Sequence, residues 1–571
     1  MKQLQKIIAV LLAVILAVGV FAGCGSESTV ATASEPAAQT QGATDAAEAT
    51  DAPVAEVTGG EVNLSDPDFD FEAEFYYNEY NAESNADTDR QDGIDTFENT
   101  DIVFQSIDYE ELIYLLEQEG NYLILFGGVW CHNTRAVVSY INDYAHEYGI
   151  DTVYNFDFRL DGTTGDTHIR VSNSDSEEKT GGEQFNYLYG ELISRYLTNL
   201  NDWVEYQVGT ESDLTYTNAS GEDVTVAKVQ VPFLFLYNKD NTVDNSGNGG
   251  AEGTYPIVYG FEEMVDRDSQ GVYVYEYDEE GNRLTDENEN PIRKYITEEY
   301  LERLRGIFDY IKDNGLTVGE FTDADYIRLS FNEERFERLE GVEYRAGNPI
   351  FAEDDQINLD AITYRELIWL LQQEGDSLIF FGGPWCANTQ AAIATVNDYA
   401  VANGQTVYWY DPAWDSYYSV DAWDYDQRSD PRYGGAFGSS DAFVPGYVNL
   451  VKNYLTNLTV ADDFIYTDDS GTEYTISYTF DYTDEEGNTF SVGTFQVPYL
   501  LAYNKDAVDS DGFSAPIFAF VEDAVYHLEE GADDYIYNSE NYAKYTQEVY
   551  DVFAAFAARL GLTASDITKR V

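Results

Sequence analysis

One block of sequence occurs twice, and nothing else constrains the fold as strongly. IDYEELIYLLEQEGNYLILFGGVWCHNT, at 107–134, returns as ITYRELIWLLQQEGDSLIFFGGPWCANT at 362–389. Further along, YLYGELISRYLTNL answers YVNLVKNYLTNL, VQVPFLFLYNKD answers FQVPYLLAYNKD, and YPIVYGFEE answers APIFAFVED. The copies lie 255 positions apart at Cys131 and Cys386 and 266 apart at Pro232 and Pro498, so the second holds about eleven extra residues between those landmarks. A solenoid needs at least three stacked units to cover its core. Two long units mean tandem domains, each expected to fold on its own, which suits 571 residues at roughly 100–200 per domain.

Periodicity sketches each copy. In the first, Tyr109–Gln118 places Leu112, Leu115 and Leu116 on one helical stripe, and Tyr122–Phe126 is a short continuous apolar strand. A helix over Cys131–Tyr148, a strand over Thr152–Phe158 and a helix over Phe185–Leu200 follow. Apolar strands at Pro232–Tyr237 and Ile257–Phe261 precede a closing amphipathic helix at Thr297–Ile311. Strand–helix–strand alternation predicts a parallel sheet with helices on both faces, and the last two strands, with no helix between them, are expected to pair antiparallel. DEEGN at 278–282 and again at 484–488 predicts hairpin tips in insertions.

In both copies Trp-Cys sits between a buried strand and the first turn of a helix. A Cys there faces unpaired N–H groups and the positive end of the helix dipole, which favour the thiolate. Thr134 and Thr389 follow three residues on, where a hydroxyl is expected to donate to the sulfur. About a hundred residues later, Val231-Pro232 and Val497-Pro498 open a strand with a residue that cannot donate to the ladder, a position compatible with cis geometry. His132 and Arg135 flank Cys131 where Ala387 and Gln390 flank Cys386, so Cys131 is expected to be the faster-reacting thiol.

This constellation resembles the thioredoxin superfamily over roughly 200 residues of each copy, from about 106 to 316 and from about 361 to 561. The resemblance implies an α/β protein of two tandem thioredoxin-like domains, each a central mixed sheet with helices on both faces, with insertions. It implies that Cys131 and Cys386 are nucleophiles assisted by Thr134 and Thr389. Trp130, Val231 and Pro232, and in the second copy Trp385, Val497 and Pro498, would orient substrate, with an extended peptide pairing beside the proline. Two departures stand out: the family's second Cys is Thr134 or Thr389 here, so neither domain can close its own disulfide, and its buried acid is replaced by Leu125 and Phe380. Single-thiol exchange with exported proteins bearing thiols or disulfides is the function implied. Inert buried thiols, a Cys131–Cys386 bond, or peptide or glycan binding through aromatic stretches such as 75–80 and 407–426 remain alternatives.

The N-terminus reads as an export signal: Lys2 and Lys6, an apolar run from Ile7 to Phe21, then small residues. Ala22-Gly23-Cys24 resembles the lipobox of bacterial lipoproteins, in which Cys24 would be acylated and hold the chain to a bilayer on the extracytoplasmic face. The organisation expected is a signal segment at 1–24, a flexible linker at 25–63, a first domain with an N-terminal extension at 64–320, a connection at 321–356 and a second domain at 357–571. With 106 acidic against 30 basic residues the net charge is −76, which excludes a basic nucleic-acid surface. Three cysteines and four scattered histidines offer neither a disulfide framework nor metal-ligand spacing, so no cofactor is expected.

Overall fold

The computed structural model describes residues 62–567 apart from 65–68, 87–95, 163–166, 171–185, 211, 219–220, 248–252, 266–273, 279–280, 286–290, 293, 295, 339–348, 413–443, 461–463, 468–472, 477–478, 485–486, 523–525, 529–534 and 538. Cys24, its signal segment and the 25–61 part of the linker lie outside the described residues. No helix among the described residues is long and apolar enough to cross a membrane.

Each copy is a mixed α/β unit on a five-stranded sheet. The first runs α1 (Phe71–Ala86), β1 (Phe104–Ile107), α2 (Tyr109–Leu116), β2 (Tyr122–Phe126), α3 (His132–Tyr148), β3 (Val153–Phe156) and α4 (Asn186–Arg195). A hairpin of β4 (Leu214–Thr217) and β5 (Asp223–Val226) leads to β6 (Phe233–Tyr237), β7 (Ile257–Glu262) and α5 (Glu298–Asp313). The second repeats the plan with α6 (Asp323–Arg338), β8 (Leu359–Ala361), α7 (Tyr364–Leu370), β9 (Ser377–Phe381), α8 (Ala387–Asn403), β10 (Val407–Tyr410) and α9 (Val444–Asn449). Hairpins β11–β12 (Phe464–Thr467, Glu473–Ile476) and β13–β14 (Thr479–Thr483, Thr489–Gly493) precede β15 (Tyr499–Tyr503) and β16 (Ile517–Glu522). The pair β17–β18 (Tyr526–Leu528, Tyr535–Tyr537) and α10 (Ser539–Arg559) close the chain.

The sheet orders match: β1-β3-β2-β6-β7 and β8-β10-β9-β15-β16. The first three strands of each are parallel and the last two antiparallel, and β2 and β9 are buried at every position, as their continuous apolar runs require. The predicted hairpin tip at 484–488 joins β13 to β14, and Tyr277 bridges Arg283 around the one at 278–282. The sequence pattern misses β1 and β8, edge strands of four and three residues, too short to show a period. It also carries α4 too far. Asn199 donates to Ile257 O at 2.9 Å and accepts from Ile257 N at 3.0 Å, drawing the chain onto the edge of β7; Asn457 holds Ile517 at 2.8 and 3.0 Å in the second copy. The repeated LTNL block is therefore an edge clamp, which covers polar backbone that would otherwise template another strand.

The segments read as an extension and a connection turn out to be equivalent. α1 and α6 are the opening helices of the two copies. Asn81 on α1 brackets the backbone of Phe97 at 2.9 and 3.0 Å, and Asn332 on α6 brackets Phe351 at 3.1 and 2.8 Å. Glu72 accepts from the outer N–H of β1 at Ser106 (3.3 Å), and Asp323 from that of β8 at Ala361 (2.9 Å). Each helix then packs on the other copy. Phe75 meets Trp369 of α7 with ring centres 5.7 Å apart, and Tyr326 meets Tyr114 of α2 at the same separation. Phe71 lies 4.8 Å from Tyr408 of β10, while Tyr154 of β3 donates to Phe321 O at 3.2 Å. The Phe75–Trp369 and Tyr326–Tyr114 contacts are the same contact seen from each copy, the self-complementary pattern of a two-fold dimer within one chain. One hydrophobic core runs through both copies, from Phe71 to Phe556, so the core does not divide where the repeat divides. The aromatic stretch 75–80 belongs to this seam: Phe75, Tyr76 and Tyr80 are buried, which removes them as a glycan or peptide surface.

Four carboxyls meet at the seam. Glu111 and Glu366 are the third residues of α2 and α7, each three residues after the side chain that caps its helix, Asp108 and Thr363. Glu366 shares a hydrogen bond with Glu72, and Glu111 faces Asp323. Burial pushes all four above the usual carboxylate range, and neighbouring carboxyls add to it at Glu72, Glu111 and Asp323.

Candidate functional site

The Gly-Gly-x-Trp-Cys-x-Asn-Thr block forms the same structure twice. After β2, Gly127 N donates to Phe156 O at 3.1 Å, and Cys131 N closes a turn onto Gly128 O at 3.0 Å. Cys131 then caps α3 in extended backbone conformation without a side-chain capping bond, and Cys386 does the same on α8. The Val231–Pro232 and Val497–Pro498 peptides are cis. Each sulfur lies against the carbonyl before its proline: Cys131 Sγ is 3.6 Å from Val231 O, and Cys386 Sγ is 3.7 Å from Val497 O. The sequence-predicted Trp, Cys, Val and Pro of each copy are thus brought together.

The threonines do something else. Thr134 and Thr389 are fully buried and their hydroxyls make no hydrogen bond, so neither donates to a sulfur. They fill the space over the first glycine of the motif. A Cβ on Gly127 would lie 2.7 Å from Thr134 Oγ1, and one on Gly382 would lie 2.5 Å from Thr389 Oγ1. The expected thiol-activating role is therefore replaced by packing.

The second glycine has a different partner, which sequence reasoning missed. Trp130 Nε1 donates to both oxygens of Asp157, at 2.8 and 3.1 Å, and Trp385 Nε1 donates to Asp411 at 2.9 Å. These acids directly follow β3 and β10, and the pair that holds the tryptophan runs beneath the motif loop. Burial raises the Asp157 carboxyl above its ordinary range, opposed by the Arg159 N–H, the Trp130 indole and nearby guanidinium charge. The signal was present in the repeat: in both copies the strand ends on an aromatic residue that Asp follows directly. A Cβ on Gly128 would come 2.0 Å from Asp157 Oδ2. Gly128→Ala should therefore break the Trp130–Asp157 pair and lower stability by about 2–4 kcal/mol, read from the denaturation midpoint. Gly149→Ala is the control, since nothing lies within 4 Å of its added carbon; its cost, from positive φ alone, should stay nearer 1 kcal/mol.

The charges flanking the two cysteines also rearrange. Arg135 is buried and donates to Val129 O at 2.6 Å, a bond to the loop backbone. Cys131 is 8% exposed, whereas Cys386 is half-buried. Access favours Cys386, against the order expected from flanking charge. Iodoacetamide should alkylate Cys386 several-fold faster than Cys131 under native conditions, measured on Cys131→Ala and Cys386→Ala chains; equal or inverted rates would show that charge outweighs access. In the Asn-rich stretch after β6, Asp240 N donates to Asn238 Oδ1 at 3.0 Å and Val243 N to Asn241 Oδ1 at 3.1 Å.

The architecture up to this point is a duplicated mixed α/β unit, with a cysteine at the start of a helix facing a cis-proline strand in each copy. No protein-family model matches the chain, and no curated protein is significantly similar to it in sequence.

Proposed function

We propose that this is an exported lipoprotein, anchored through Cys24, whose two thioredoxin-like halves exchange disulfides with exported proteins through Cys131 and Cys386. The observation that carries the reading is the duplicated approach of each sulfur to the carbonyl before a cis-proline, at 3.6 and 3.7 Å. That backbone lies next to the sulfur, where an extended peptide pairing with it would bring its own sulfur into reach.

The chemistry balances without a cofactor. The thiol loses its proton to solvent, and the thiolate attacks one sulfur of a partner disulfide. A new S–S bond joins the cysteine to the partner as the old one breaks, and the partner's second sulfur leaves as thiolate. Attack by another thiol of the partner on the mixed disulfide releases the cysteine as thiolate and leaves the partner isomerised with no net oxidation, whereas return of the first thiolate only restores the original disulfide.

A second reading, peptide capture without turnover, draws support from the buried Cys131 and from threonine hydroxyls that leave the sulfurs unassisted. Trapping separates the two. Whole cells quenched with acid and N-ethylmaleimide should yield reducible, higher-mass species containing this chain. The species should shrink in each single variant and vanish in Cys131→Ala/Cys386→Ala. If wild type and double variant give the same pattern, the exchange reading fails and capture remains.

A further inference from the structure

Where the first copy's motif loop faces the second copy, a cavity of about 70 Å³, partly open to solvent, remains in the seam. Its walls come from α1, the β1–α2 junction, the end of β3 and the start of α7. Tyr80 lines it, is 2% exposed, and its hydroxyl makes no hydrogen bond. Asn155 lines it too, held by Tyr76 OH at 3.0 Å and donating to Gly127 O at 2.8 Å.

The repeat supplies an internal comparison. Trp409 occupies the position of Asn155 in the second copy and donates to Gly382 O, the counterpart of Gly127 O, at 2.5 Å. Phe331 occupies the position of Tyr80, and its ring centre lies 5.3 Å from that of Trp409. Where one copy has an indole against a phenyl ring, both buried, the other has a short amide and a hydroxyl around a void. An ordinary core would have no use for an unsatisfied buried hydroxyl, which costs about 1–3 kcal/mol.

We propose that this cavity binds a small organic monocation of the alkylammonium class. Four carboxyl residues line it, Glu79, Asp108, Asp157 and Asp411, against the guanidiniums of Arg159 and Arg365. Arg365 is paired with Glu79, and Arg159 lies over the Trp130 ring, 4.2 Å from its centre. The four carboxyls outnumber the two guanidiniums, and the net charge of −76 on the chain disfavours an anion there. Tyr76, Tyr364 and Tyr410 also line the space, and aromatic side chains attract a desolvated cation. The Tyr80 oxygen is the acceptor for an ammonium N–H. A space of about 70 Å³ admits only a compact head group.

The test is calorimetric titration of the exported chain with trimethylammonium chloride, sodium acetate and tert-butanol in parallel. Trimethylammonium should bind and raise the melting temperature, while the anion and the neutral isostere should not. Asn155→Trp, which installs the residue of the second copy, should weaken binding at least twenty-fold while keeping a cooperative melt. Tyr80→Phe, which matches Phe331, should weaken it about three- to ten-fold. The proposal is overturned if wild type binds none of the probes, if tert-butanol or acetate binds as well as the cation, or if Asn155→Trp leaves affinity unchanged. Should Asn155→Trp fail to fold, unchanged affinity in Tyr80→Phe overturns it alone.

Discussion

Pieces covering residues 100–320 and 350–565 should each fail to give a cooperative thermal transition, whereas the full chain should melt in one. Both pieces contain a complete five-stranded sheet, so the sequence repeat alone predicts the opposite. Both lack α1 and α6. Without α1, the first piece loses the carboxylate that satisfies Ser106 N; without α6, the second loses the one on Ala361 N. Trp369, Tyr408 and Trp409 also lose Phe71, Phe75, Tyr326 and Phe331 as neighbours. A large buried ring returned to water forfeits about 1.5–3 kcal/mol, and a domain's net stability is only about 5–15 kcal/mol. Three such rings exhaust most of it. Pieces cut at 62–320 and 321–567, each keeping its opening helix, should regain a cooperative melt only when mixed, as the two halves of a heterodimer. A sharp melt from either short piece alone would refute the shared core.

The second large effect is stability that falls as pH rises. Burial raises Glu72, Glu366, Asp323 and Glu111, with like charge adding at all but Glu366, and Asp108 and Asp360 are pushed up from 3.8 to about 6. The folded state therefore binds protons more tightly than the unfolded chain. The contribution is fully present below the unfolded values, near pH 4, and is lost as pH climbs through the folded ones, about 6 for Asp108 and Asp360. A carboxyl raised from 3.8 to about 6 accounts for roughly 3 kcal/mol of that loss once fully ionised. The melting temperature should be highest near pH 5 and lower by several degrees at pH 8. Glu72→Gln supplies an amide N–H in place of the proton shared with Glu366 and keeps an acceptor for Ser106 N. It should stabilise the chain by about 1–3 kcal/mol at pH 8 and change little at pH 5. Glu353→Gln, at an exposed position, controls for the relief of general repulsion. A flat profile from pH 5 to 8, or equal gains from both variants, would dissociate the seam from the effect.

These results separate what was legible in the residues from what was not. Repetition, the buried runs of β2 and β9, the Trp-Cys start of a helix and the Val-Pro strand were readable because each rests on local chemistry: apolar period, helix capping, or a missing N–H. By itself the sequence determined two equivalent α/β units and which residues would gather around each cysteine. It could not assign Thr134 and Thr389, since a hydroxyl three residues from a sulfur packs as readily over a glycine as it donates, and only the approach of Gly127 and Gly382 decides. Asp157 and Asp411 were hidden because their partners, Trp130 and Trp385, lie 27 and 26 residues away across a strand crossover. α1 and α6 carry hardly any matching residues, because their conserved task is set by geometry: one carboxylate against an edge strand, one asparagine around a backbone segment, and one aromatic ring on the opposite copy. Only the tertiary structure decided that two repeats make one body, because the face that joins them exists only once both sheets have formed.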